Sequence, residues 1–214
     1  VNGSKEQDMA DTWDLIATER LRAADFFSNL RGDDWDAPSL CANWSARDVL
    51  AHIVVTAEIN ASGFLSGMAR NGFRFDRMTD GDVRRHRSTS TEDLIDRLRT
   101  SATSRRHPPG PVAAMLMEIV VHGEDVAYPL GRKIDHDDTA LLAAAEFAKG
   151  AQPLVGVRKR IAGLAVSATD ADFASGSGPR VAGPMVPLLL AMSGRRTADD
   201  ALSGDGVRTL RERP

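Results

Sequence analysis

Apolar residues recur at helical spacing over most of the first 130 positions, and that periodicity organises the chain. Trp13, Ile16, Ala17, Leu21, Ala24 and Phe27 mark one face of a helix over residues 9–30, ended by Gly32. Val49, Leu50, Ile53, Val54, Ala57 and Phe64 mark a second helix over about 46–65. Ser45 stands before it as an N-cap, paired with Asp48 three residues on. Residues 67–90 are polar, Gly-containing and Arg-rich, and they read as a long loop with one helical turn at most. Thr91 is placed to cap a third helix over 92–105. Pro111 suits the first turn of a fourth, over about 112–127, whose residues are apolar nearly all round and therefore buried.

The pattern changes after Gly131. An Ala-rich helix over 137–150 precedes two strand candidates, Ile161–Ala168 and Asp172–Gly176, with Asp170 in the turn. Pro184 opens a short helix, Met185–Met192, stopped by Gly194. This order predicts an α+β chain with two domains: a helical one over 9–131 and a small α/β one over 132–214. Residues 1–8 read as a frayed leader, with Met9 a candidate natural start.

Composition narrows the function classes. The chain has 214 residues, 42% hydrophobic and 27% charged, with a net charge of −3. That balance leaves no footprint for nucleic acid or an anionic membrane surface. Apolar runs are too short for a membrane helix. The single Cys41 cannot form an internal disulfide, which fits a reducing cytoplasm. Cys41 lies in a loop with no neighbouring basic residue and reads as structural. His86, His107 and His136 lie in polar or loop surroundings and read as solvated.

One constellation carries chemistry. Glu118 and His122 are four apart on one helix and share a face. His52 lies mid-way along another helix, and packed helices approach to about 8–10 Å, close enough for their side chains to meet at one ion. Taken alone, a Glu-x-x-x-His pair arises by chance in many helices, and a lone His on an apolar helix is more often core than ligand. Glu118, however, stands in an otherwise apolar segment, where an ionised carboxylate needs a partner or a cation. Three N/O donors leave a coordination position open, as in catalytic rather than structural sites. The set suits Zn²⁺, with Ni²⁺ and Fe²⁺ as alternatives. Asp125, one turn beyond His122, has two readings: an acceptor for the second imidazole proton or a polar helix-end residue. Glu58 and Asp48 could serve His52 in the same way. Trp35 and Trp44 read as packing residues.

The stretch Pro38-Ser-Leu-Cys-Ala-Asn-Trp-Ser-Ala-Arg-Asp-Val-Leu-Ala-His52 resembles the N-terminal motif of the mycothiol-dependent maleylpyruvate isomerase family, within the DinB/YfiT-like superfamily. Glu118-Ile-Val-Val-His122-Gly-Glu-Asp125, with Leu130-Gly131, resembles its second motif. Gly183-Pro184, Leu188–Leu190, Gly194-Arg195 and Leu202–Gly206 resemble its C-terminal domain. Relatives often carry tryptophan after the second motif's His-Gly, where this chain has Glu124. The resemblance implies a DinB-like four-helix bundle and a small sterol-carrier-like α/β domain. It implies a divalent metal on His52, Glu118 and His122, with mycothiol as cosubstrate. It also singles out Arg195 as a catalytic or cofactor-binding residue for an anionic substrate or the thiol; the alternative is a solvated cation at a helix end.

The expected function is thus a thiol transferase or isomerase acting on a small electrophile, in a cytoplasmic monomer or homodimer. A non-catalytic metal- and ligand-binding protein and a metal-dependent hydrolase are the alternatives.

Overall fold

The fold is that of a computed structural model, which describes residues 2–151 and 156–213. The chain divides into two compact units, Val1–Asp135 and His136–Pro214.

The first unit is helical. Helices α1 (Asn2–Ser28), α2 (Ala46–Glu58), α5 (Thr91–Thr100) and α6 (Ala113–Ala127) pack so that α1 and α2 each lie against both α5 and α6. Helices α3 (Ala61–Arg70) and α4 (Phe75–Arg85) intervene in sequence, and α4 packs on α2. The core follows from the apolar stripes. Ile16, Ala24 and Phe27 of α1 are buried with Leu50, Ile53 and Val54 of α2 and Leu116, Ile119 and Val120 of α6. Leu21 departs from the expected stripe and is 45% exposed, while Arg20 beside it is buried. The burial is possible because Arg20 Nη1 donates to the carbonyls of Ser101, Ala102 and Ser104, which leave the end of α5.

Ser45 caps α2 as its sequence predicts. Its Oγ accepts from Asp48 N–H at 3.3 Å, and Asp48 Oδ2 accepts from Ser45 N–H at 3.2 Å. The helix is shorter than its periodicity suggests. It ends at Glu58, and Asn60 starts α3 by accepting from Gly63 N–H at 2.8 Å. Residues 67–90 are not a loop: α3 runs to Arg70 and α4 occupies Phe75–Arg85. The buried stripe of α4 is Met78, Thr79, Asp82 and Val83, half of it polar. The cap of α5 is Ser90 rather than Thr91, with Ser90 Oγ accepting from Asp93 N–H at 3.0 Å.

The second unit begins with α7 (Asp138–Ala148), capped by Asp137, whose Oδ1 accepts from Thr139 N–H at 2.8 Å. A one-turn helix, α8 (Val157–Arg160), takes up residues next to the expected first strand. A sheet of three strands follows: β1 (Ala165–Ala168), β2 (Ala174–Ser175) and β3 (Arg180–Gly183), in the order β2-β1-β3. β1 pairs antiparallel with β2 (Val166 opposite Ser175) and parallel with β3 (Val166 opposite Val181). β3 was not among the expected strands. Helix α9 (Met185–Met192) packs on β1, β3 and α7, and its first N–H donates to Asp170 Oδ1 at 2.7 Å. That bond gives the turn residue Asp170 its role. A short helix, α10 (Val207–Glu212), closes the unit.

Candidate metal centre

The first unit brings His52, Glu118 and His122 together. Their donor atoms all lie within 4.8 Å of one another. His52 comes from α2 and the other two from α6, which pack side by side. The two imidazole rings stand nearly perpendicular, 84° apart, with centroids separated by 4.8 Å.

His52 Nε2 is 3.6 Å from Glu118 Oε1. That is too long for a good hydrogen bond. It is close to the edge of a tetrahedron of N/O ligands, about 3.4 Å for metal–ligand bonds of 2.0–2.1 Å. Glu118 keeps 18% of its side-chain surface exposed, yet Oε1 itself is shut off from water and accepts no hydrogen bond. An unpaired buried carboxylate oxygen is costly, and a cation in contact with both imidazoles would satisfy it. The residues present therefore fit a divalent ion, with two imidazole nitrogens and one carboxylate oxygen converging.

The three groups titrate differently. Burial pushes the His52 value well below the usual imidazole range, and neighbouring His122 lowers it further. His52 is therefore a neutral lone-pair donor at pH 7. Burial raises the Glu118 value; nearby His122 and Arg20 act against that rise. For His122, burial acts to lower the value, but hydrogen bonds with Asp125 and Cys41 outweigh it and push it up to about 10.

The environment of His122 holds the main surprise. Its Nδ1 lies 2.8 Å from Asp125 Oδ2, and Asp125 is fully buried. Asp125 is thus the imidazole acceptor, not a polar helix end. With Nδ1 so engaged, Nε2 is the nitrogen left for a metal. Cys41 also differs from its sequence reading: its Sγ lies 3.5 Å from His122 Nδ1 and donates to Asp125 Oδ2 at 3.0 Å. Spacing along the chain could not reveal this contact, because Cys41 is 81 residues from His122. Asp125 did leave a signal, the three-residue interval on one helix.

Other candidates fall elsewhere. Glu58 is held by Arg97, with two bonds of 3.0 and 2.6 Å. Asp48 is spent on the α2 cap. Trp44 packs its ring 4.9 Å from that of His52, and Trp35 stacks on Phe27. His107 is partly covered and lies against Trp13. Arg195 belongs to the second unit, where its Nη1 donates to Ser193 O at 2.9 Å. No described helix is long and apolar enough to cross a membrane.

Comparison with known proteins agrees with the fold and adds a family. Residues 16–111 match the mycothiol maleylpyruvate isomerase N-terminal domain. The matched segment contains His52 but stops before Glu118 and His122. No curated protein matches the sequence. Among solved structures, the chain is similar to a mycothiol-dependent maleylpyruvate isomerase, with a TM-score of 0.62 and 14% identity over 96% of this chain and 95% of that one. A His-to-Ala mutant of a mycothiol-dependent maleylpyruvate isomerase gives 0.60 and 13% over the same shares. At such identities these likenesses establish the shared fold. The matched segment goes further: residues 16–111 resemble the N-terminal domain of the mycothiol maleylpyruvate isomerase family.

Proposed function

We propose that the protein is a metal-dependent enzyme that uses a low-molecular-weight thiol, mycothiol, to isomerise or conjugate a small electrophile. The observation that carries this reading is the open three-donor site, in which Glu118 Oε1 is buried without a hydrogen-bond partner. His52, Glu118 and His122 would hold the ion, for which Zn²⁺ suits the donor set. A divalent ion there lowers the pKa of a bound thiol, so that thiolate is available at neutral pH.

The chain's own residues prepare the site. His52 stays neutral because it is buried, so it offers a lone pair without first losing a proton. Asp125 holds the His122 ring through Nδ1, which leaves Nε2 for the ion. Arg195, by the family resemblance, would contact an anionic group of the substrate or the thiol. Thiolate addition to the carbon β to a carbonyl forms a C–S bond, turns the C=C bond single and moves its electron pair onto the carbonyl oxygen as an enolate. Rotation about that bond and collapse of the enolate then expel the thiolate and leave the isomer; protonation of the enolate carbon from solvent and release of the thioether instead give a transferase.

Incubating zinc-loaded protein with mycothiol and an α,β-unsaturated diacid or keto acid tests this. The expected result is metal- and thiol-dependent isomerisation or adduct formation, seen by chromatography. Equal product with and without metal would overturn it.

A further inference from the structure

The loop that precedes α2 is built to place one side chain. Its ends are joined by a bridge between Pro38 and Ser45. Inside it, Asn43 takes a left-handed backbone, φ 66°, and Trp44 N–H donates to Cys41 O at 3.1 Å. Asparagine tolerates that conformation better than most residues. Ser39 ties the loop together: its Oγ accepts from Cys41 N–H at 3.1 Å and donates to Trp44 O at 2.8 Å, and its N–H donates to the same Trp44 O at 3.0 Å. Leu40 N–H donates to Asp125 O at 2.9 Å, which fastens the loop to the turn of α6 that carries Asp125. The result is that Cys41 Sγ meets Asp125 Oδ2, the same oxygen that accepts from His122 Nδ1.

We propose that Cys41 is a positioning residue of the metal centre: its thiol shares Asp125 Oδ2 with the His122 imidazole and fixes that carboxylate, so that His122 presents Nε2 to the ion. The inference rests on the metal reading above. Its physical basis is the burial of Asp125. A carboxylate oxygen has capacity for more than one donor, and a buried carboxylate is costly while that capacity is unmet. Two donors converging on one oxygen leave the carboxylate little freedom to rotate. The imidazole it holds inherits that constraint, and such partners of metal ligands govern affinity.

Two other roles for the thiol fit less well. Cys41, His122 and Asp125 could themselves be read as a cation site. Yet their separations of 2.8 and 3.0 Å to Asp125 Oδ2 are hydrogen-bond lengths. Ligands of a tetrahedral ion would stand about 3.4 Å apart or more. A nucleophilic role fits less well too, because the Cys41 Sγ is already engaged by the fully buried Asp125 carboxylate.

The test is Zn²⁺ affinity by competition with a chromophoric chelator, together with the visible spectrum of the Co²⁺-substituted protein, for wild type, Cys41→Ser and Cys41→Ala. Serine keeps a donor, so Cys41→Ser should bind within about twofold of wild type. Cys41→Ala should bind more weakly, by roughly three- to tenfold, below the ~10–100-fold expected for a group bonded directly to a ligand. Its Co²⁺ spectrum should change while that of Cys41→Ser does not. The metal-free variants should melt alike. Should Cys41→Ala not fold, Cys41→Val, apolar and of similar size, carries the same expectation. Wild-type affinity in the alanine or valine variant, or failure of serine to rescue, overturns the inference alone. Wild-type protein that binds no Zn²⁺ overturns the metal reading, and this inference with it.

Discussion

The two histidines of the centre show how one side chain is prepared in opposite ways. His52, on α2, is kept neutral by burial, with the Trp44 ring against it. His122, on α6, is gripped through Nδ1 by a buried carboxylate and has its affinity for protons raised. In the proposed metal site the first would bind without losing a proton, and it is oriented mainly by packing. The second is oriented by a hydrogen bond and would have to give up a proton to bind an ion. The loop over residues 38–45 serves both, with Trp44 on one ring and Cys41 behind the other.

The contrast can be broken most severely at the ligands. His122→Ala should lower Zn²⁺ affinity by more than the ~10–100-fold typical of outer partners, and competition titration reads that loss. Asp125→Asn should fall within that ~10–100-fold range by the same titration, because it weakens the grip on His122 without removing a donor. If Asp125→Asn bound metal like wild type, the asymmetry between the histidines would be lost.

The third prediction concerns pH. His122 is protonated in the metal-free protein below about 10, so binding at Nε2 releases a proton. Its affinity for Zn²⁺ should therefore rise as pH increases from 7 to 9, by up to about tenfold per unit. His52, whose value is depressed, adds no slope in that window. The same shift has a stability consequence in the metal-free protein. The folded state holds the His122 proton more tightly than an unfolded chain does, so this contribution is fully present below about pH 6.5 and is lost as pH rises towards 10. Chemical denaturation of the metal-free protein at pH 6.5 and 9.5 checks the sign.

The smallest expected effect is at the base of α2. Ser45→Ala removes the cap and should cost about 1 kcal/mol in denaturant unfolding. It should leave the His122 side of the site, and the pH slope, as they were.

Much of this arrangement was legible in the sequence because it is local. The α2 cap is a pair three residues apart, and Glu118 and His122 are four apart on one helix. The bundle helices show their periodicity because their buried faces are apolar. Helix α4 did not show, since Thr79 and Asp82 share its buried stripe with Met78 and Val83, and arginines crowd the rest. Strand β3 was hidden by its brevity: four residues between Pro179 and Pro184 leave little alternation to read. The contacts of Cys41 were hidden for another reason. Its partners lie 81 and 84 residues away, and only folding brings the loop against α6.

Metal content is the most direct measure of the central claim. Wild-type protein loaded under metal-replete conditions and desalted should carry one divalent ion per chain by inductively coupled plasma mass spectrometry, and His52→Ala should carry almost none. Wild-type protein that retains no divalent ion, or His52→Ala that retains as much as wild type, would contradict the site described.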